Sequence, residues 1–412
     1  MEIMVERCAG IDVHQKTVVV CVRCPGSGRR ARGSEVRTFD ATTPGLLSLH
    51  EWLSQQEVTQ VAMESTGVYW RPVHNVLEGT FEVLLVNARH VKQVPGRKTD
   101  VRDCEWLAQL LEHGLLRGSF VPPEPIRDLR ELTRFRKVLI RERGHHVNRL
   151  AKTLETANIK LSSVATDIMG KSGRAMLDAI IQGQSDPAVL AELAQGLLKK
   201  KREALRPALT GRVRAHHVFL IREHLRVIDD IALRVAEFDA HIAECMQPFA
   251  DAAALIRTTT GVGDRTAEVV VAEIGVDMSR FPSPGHLASW ARLCPGNNES
   301  GGKRKSGAIG KGQNWLKAAL VEAAWAATRK RGSYYGAFFR RLKARRGPKR
   351  ALVAVAHALL RAIWHVLTRS TQHRDLGADY FDQIDRERLR RHHIKRLTQL
   401  GFAVSIQDAA AS

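Results

Sequence analysis

Two carboxylates sit inside runs that otherwise read as the interior of a sheet. Asp12 falls in Cys8-Ala-Gly-Ile-Asp-Val-His just before Thr17-Val-Val-Val, and Glu64 closes Val58-Thr-Gln-Val-Ala-Met. Short runs rich in valine are buried strands, so each acid is carried at the edge of a core. Asp100 and Asp103, in Arg97-Lys-Thr-Asp-Val-Arg-Asp-Cys, lie three apart where a helical pattern begins, which puts both on one helix face. Four clustered carboxylates repel one another strongly unless divalent cations neutralise them. Hard oxygen ligands suit magnesium or manganese, and such a set points to phosphodiester chemistry.

Charge points the same way. The chain has 412 residues, 44% of them hydrophobic, with a net charge of +21 and a pI near 10.2. That length allows two or three domains, and that charge makes nucleic acid the first partner to consider. An anionic membrane is the alternative, but no apolar run approaches the roughly 20 residues needed to span one. Met1-Glu-Ile-Met-Val-Glu-Arg matches neither a signal nor a transit peptide, so a cytoplasmic protein is expected. Six cysteines, at 8, 21, 24, 104, 245 and 294, form no even framework and read as reduced thiols. Cys21 and Cys24 have zinc-like spacing but lack the second Cys or His pair that a zinc site needs, and read as two strand-end thiols before Pro25-Gly26.

The expected order from Arg7 to Val121 is three strands, a helix, then strand, helix, strand, helix. Strands fall at Val18–Val22, Glu35–Phe39, Val58–Met63 and Phe81–Val86. Helices fall from Thr43 to Trp52, Thr66 to Leu77 and Asp100 to Leu116. This is the order of a ribonuclease-H-like fold, in which the first strand, the fourth strand and the last helix converge. Domain boundaries are expected at 1–124, 125–250, 251–367 and 368–412. Pro122-Pro-Glu-Pro is a stiff break, after which Leu129, Leu132, Leu139, Leu150 and Leu154 mark a long helix. A second stripe through Leu220, Val227, Ile231, Phe238 and Ile242 suggests a helical hairpin or coiled coil, with packing as its role. The pairs His145-His146 and His216-His217 read as polar-face or satisfied histidines.

The last third carries four features. Gly261 and Gly263, in Thr260-Gly-Val-Gly-Asp-Arg, resemble a helix-hairpin-helix turn whose amides bind a backbone phosphate, or else form a tight turn. Ser300 precedes Gly301-Gly302 and the cations Lys303, Arg304, Lys305 and Lys311, on a loop able to approach a phosphate. It reads as a nucleophile, a phosphate ligand or an ordinary serine. Residues 329 to 350 hold ten Lys/Arg and no acid, including Arg340, Arg341, Arg345 and Arg346, interleaved with Tyr334, Tyr335, Phe338 and Phe339. That mixture can grip a strand by charge and stacking. Ala351 to Leu367 reads as core, and the tail beyond Thr368 as polar and partly disordered.

Together Gly-Ile-Asp12-Val-His-Gln-Lys, Ala-Met-Glu64-Ser-Thr-Gly, Arg-Lys-Thr-Asp100-Val-Arg-Asp103 and the stretch from Thr258 through Ser300 to Ala327 resemble the DEDD transposases of bacterial insertion sequences, the insertion sequence 110 family. The resemblance spans nearly the whole chain. It implies a RuvC-like N-terminal domain with Asp12, Glu64, Asp100 and Asp103 as the metal-binding quartet, and a mainly helical C-terminal transposase domain with Ser300 as nucleophile. It also implies a bridge RNA that pairs with donor and target DNA, and dimers that join into a tetramer. Because the carboxylates and Ser300 fall in different expected domains, a composite site is expected, with one subunit giving metals and another the serine. Two competing readings fit the same residues: a RuvC-like junction endonuclease using metal-activated water, and a non-catalytic nucleic-acid-binding protein.

Overall fold

Hydrogen-bonded pairing along the valine runs builds one mixed sheet. The computed structural model describes residues 2–26, 32–65, 67–87, 103–296, 298–300, 302–310, 314–384 and 386–405. The chain divides into two compact units, 1–121 and 122–412. In the first, β1 (Cys8–Val13), β2 (Thr17–Cys24), β3 (Gly33–Asp40), β4 (Gln60–Glu64) and β5 (Glu82–Val86) lie in the order β3-β2-β1-β4-β5. The β1-β2 and β2-β3 pairs are antiparallel, whereas β1-β4 and β4-β5 are parallel.

Alternation along the strands gives the sheet two apolar faces. Ile11, Val18, Val20, Val61 and Met63 pack under the helices Thr43–Gln55 and Trp70–Leu77. Cys8, Cys21 and Ala62 face the helix Asp103–Glu112 on the other side. Helix Trp70–Leu77 begins later than the pattern suggested, after a turn at 67–69.

The second unit is built on two long helices, Glu124–Thr156 and Ala215–Cys245. They run antiparallel, since Arg136 bonds to Asp239 while His146 meets His224 further along. Phe135 and Phe238 stack at 5.2 Å between centroids. The far end is closed by short helices whose Leu161, Met176, Leu177, Leu190 and Leu205 join Leu150 and Ile221 in one core. At the near end, the helix Asp264–Ile274 is tied to the long helix by charge. Arg134 makes a bidentate pair with buried Glu273 at 2.7 and 2.8 Å, and buried Arg136 reaches Asp239 at 2.7 Å and Glu268 at 2.6 Å. Arg136 is a charged residue among the buried positions of its helix, and its fork meets two carboxylates at once.

Helix Pro348–Arg369 corrects the reading that no segment reaches membrane-spanning length: by length and composition this one does. Its Leu352, Val355, Leu359, Ile363 and Val366 are instead buried in this unit, against helices that include Trp315–Arg329 and Tyr334–Arg346.

The 258–263 turn packs inward. Gly261 has φ +85°, and a methyl there would stand 2.5 Å from both the Ala323 carbonyl oxygen and the Ala327 amide nitrogen. Left-handed backbone costs an L-residue about 1–2 kcal/mol, and overpacking adds about 1–3 kcal/mol. Gly261→Ala should therefore lower unfolding free energy by about 3 kcal/mol, read from a denaturant melt. Gly263→Ala is the comparison, because Gly263 has φ −101° and nothing within 4 Å of the added methyl; it should melt near the parent.

Candidate active site

Register brings the first two carboxylates together. β1 and β4 pair in parallel up to Ile11 and Met63, so Asp12 and Glu64, each the next residue, stand abreast at the same strand ends. Alternation puts them on one face: Asp12 follows Cys8 and Gly10, and Glu64 follows Ala62, all on the side of helix Asp103–Glu112.

That helix lies against β1 in the opposite sense. Its last residue, Glu112, accepts from the amides of Met4 and Val5 at 2.9 and 3.1 Å, ahead of β1. Further along, the Cys8 thiol donates to the Ala108 carbonyl at 3.5 Å. Next, a methyl on Gly10 would collide with the Cys104 carbonyl and the Ala108 amide and lie 2.9 Å from the Leu107 Cβ. The sequence from Glu112 to Cys104 thus tracks β1 from its start toward Asp12, and Asp103 opens the helix at the carboxylate end. Glu112 is buried and paired with Arg23 at 3.0 Å and with Arg32, which fixes the other helix end to the sheet. The helix N-terminus carries the positive end of the dipole, which favours carboxylates there.

His14 was missed in the sequence. Its Nε2 lies 3.1 Å from the Asp12 Oδ2. The signal was present, because residues two apart on an extended segment share a face. Asp100 lies outside the described residues, and among the described residues no three His, Cys, Asp or Glu side chains gather into a metal-holding group. The donors that are described, Asp12, Glu64 and Asp103, are hard oxygens on one side of the sheet, a set that suits magnesium or manganese rather than zinc.

In the second unit, Ser300 ends β6 (Asn298–Ser300) and pairs with Lys303 at the start of β7 (Lys303–Ser306). This hairpin is anchored by the Gly296 amide, which donates to the Ala308 carbonyl at 3.1 Å. Lys303 is exposed; the side chains of Ser300, Arg304 and Lys305, and all of Lys311, lie outside the described residues. The two glycines of the upstream turn differ. Gly261 is a packing position, which accounts for a glycine without any phosphate, whereas Gly263 is exposed and precedes the helix Asp264–Ile274. Asp264, in the first turn of that helix, pairs with Arg257 at 2.8 Å.

The basic helix Tyr334–Arg346 exposes Arg340, Arg345 and Arg346. Its aromatics are engaged within the protein instead of offering free faces for stacking. Tyr334 stacks on Phe338 and Phe381 at 5.8 and 5.2 Å, and Arg341 lies 5.2 Å over the Phe381 ring. The start of the tail is therefore part of the fold, held also by the His373 amide donating to the Thr258 hydroxyl at 2.8 Å.

Burial raises the Cys8 and Cys104 thiols to about 12, with Cys21, Glu105 and Asp12 adding to the effect at Cys104. Because the thiolate is the reactive form, a thiol at about 12 is ionised in only about one molecule in ten thousand at pH 8. Iodoacetamide at pH 8 should modify the part-exposed Cys24, Cys245 and Cys294 and spare Cys8, Cys21 and Cys104 until the chain is denatured. Rapid native labelling of Cys104, mapped by peptide mass, would mean that the helix is not seated on β1.

A family model described as "Transposase", for the DEDD transposases of IS110, matches residues 9–159, and a second, "Transposase IS116/IS110/IS902 family", matches residues 253–340. The chain is similar to the Sinorhizobium fredii protein described as "Putative transposase y4rJ", 28% identical over 281 residues that cover 65% of each chain. It is also similar to "Transposase for insertion sequence element IS1111A" of Coxiella burnetii, 24% identical over 297 residues, 70% of this chain and 72% of that one. The match thus spans slightly under two thirds of the first relative's length.

Proposed function

Since the chain belongs to the IS110 family of insertion-sequence transposases, we propose that it cuts and rejoins DNA strands to move an insertion sequence. Asp12, Glu64, Asp100 and Asp103 hold magnesium or manganese, and Ser300 is the nucleophile. The observation that carries this reading is the parallel register of β1 and β4, which sets Asp12 and Glu64 abreast beside the helix opened by Asp103. The strand order β3-β2-β1-β4-β5 supports a RuvC-like, ribonuclease-H-like first unit. When bound, such cations neutralise the carboxylates and stabilise charge developing on a scissile phosphate.

The chain's own groups do the rest. His14 orients the Asp12 carboxylate through its Nε2. The Ser300 Oγ attacks phosphorus, losing its proton, and forms a phosphoester bond to one DNA end. The other end leaves as a hydroxyl that takes up a proton. The phosphoester keeps the bond energy needed for rejoining. Lys303, Arg304 and Lys305 follow Ser300 after Gly301 and Gly302 and hold the flanking backbone. Guidance by a bridge RNA that pairs with donor and target DNA belongs to the same proposal, as does assembly of dimers into a tetramer. The net charge of +21 supports a nucleic-acid partner.

In a denatured reaction mixture, protein should be found covalently joined to a cut DNA end at the peptide containing Ser300. Ser300→Ala should remove both the adduct and recombination while leaving DNA binding intact. Asp12→Asn and Glu64→Gln should each reduce cleavage by at least about a hundredfold, in line with the loss of one strong electrostatic contact to the transition state. Cleavage by Ser300→Ala at the parent's rate would assign the attack to water and make the enzyme a nuclease.

A further inference from the structure

The helix Pro348–Arg369 hides an apolar face, but its other side carries Arg361, His365 and Arg369 at four-residue intervals. With Tyr334 and the segment 371–376 they wall a cleft of about 550 Å³. Arg361, Arg369 and Arg374 are all exposed in it. Among the described residues no carboxylate pairs with any of the three.

Among the described residues, the one acid in the cleft wall is turned to other work. Asp375 Oδ1 accepts from the Tyr334 and Gly377 amides at 2.8 and 2.9 Å, and its Oδ2 accepts from the Thr260 hydroxyl at 2.9 Å. Beside Arg361 the helix lines the cleft with the small side chains of Ala358 and Ala362, which leave room for an anion to come close. Burial, then Arg369 and Arg361, lower the pKa of His365, so the fields of both guanidinium groups reach one place.

Three unpaired guanidinium groups around one cleft repel one another, and their planar forks match phosphate oxygens. Eight residues of helix separate Arg361 from Arg369 by about 12 Å, or about three to four steps of 3.4 Å along one strand of a duplex. We propose that this cleft binds the phosphodiester backbone of a nucleic acid, with Arg361, Arg369 and Arg374 as its phosphate ligands. The inference rests on the nucleic-acid reading above and adds a site beyond the matched residues 253–340.

The test uses the full chain and its Arg361→Gln/Arg369→Gln double variant, with a DNA duplex and a single-stranded RNA as separate probes. Affinity is measured across a range of potassium chloride. The slope of log affinity against log salt should fall by about 1.8 for the duplex, 0.9 for each lost contact, or by about 1.4 for the single strand. At 0.1 M salt the first value corresponds to roughly 60-fold weaker binding. A change with one probe only assigns the cleft to that nucleic acid. Arg361→Lys/Arg369→Lys should keep the parent slope, and both variants should melt with the parent because the residues are exposed. Unchanged slopes on both probes, with tight binding by the parent, would overturn the site. Failure of the parent to bind either probe would overturn the nucleic-acid reading, and this inference with it.

Discussion

The first unit depends on the pairing of β1 with β4 and on the absence of a side chain at Gly10. Parallel pairing sets Asp12 beside Glu64 at strand ends, where backbone groups no longer force the acids into the apolar interior. Gly10 then lets the Cys104–Ala108 turn of the following helix lie directly on the strand. A methyl would push the helix away, and Asp103 with it. Two residues away, the charge of Asp12 is close enough to add to the rise of the Cys104 thiol. The geometry of the acids is thus set by close backbone packing, which is stiffer than any contact among the acids themselves.

The second unit answers a different constraint. The near end of the long helices Glu124–Thr156 and Ala215–Cys245 is held by charge as well as by the Phe135–Phe238 stack. Arg134 and Arg136 reach Glu273, Asp239 and Glu268, and Arg130 donates to the Ala272 and Glu273 carbonyls at 3.0 and 2.7 Å. The last of these close off carbonyls that the end of helix Asp264–Ile274 leaves open. Asp375 plays a similar part at the turn after Thr258, joining Thr260, Tyr334 and the start of the tail.

What could be read from the chain was whatever local periodicity fixes. The five strands, the two long helices and the positions of Asp12 and Glu64 at strand ends follow from runs of two- and 3.6-residue repeat. What could not be read were contacts that only distant pairing creates. Tyr334 and Phe338 looked like a stacking surface because their partner, Phe381, is more than forty residues away and belongs to a segment of polar composition. Gly261 carried the pattern of a phosphate-binding turn, while its φ of +85° and its contact with Ala323 and Ala327 are properties of packing. Arg361 and Arg369 vanished into a helix whose average is apolar, since averaging along a helix hides what one face carries.

The central claim is that the acids beside β1 and β4 form a divalent cation site. Titration of the chain with manganese, following free Mn²⁺ by its electron paramagnetic resonance signal, tests it without any DNA. The account predicts about two tightly bound ions per chain, and a clear loss of binding in a Glu64→Gln chain that still folds. Equal Mn²⁺ binding by the parent and by Glu64→Gln would contradict it.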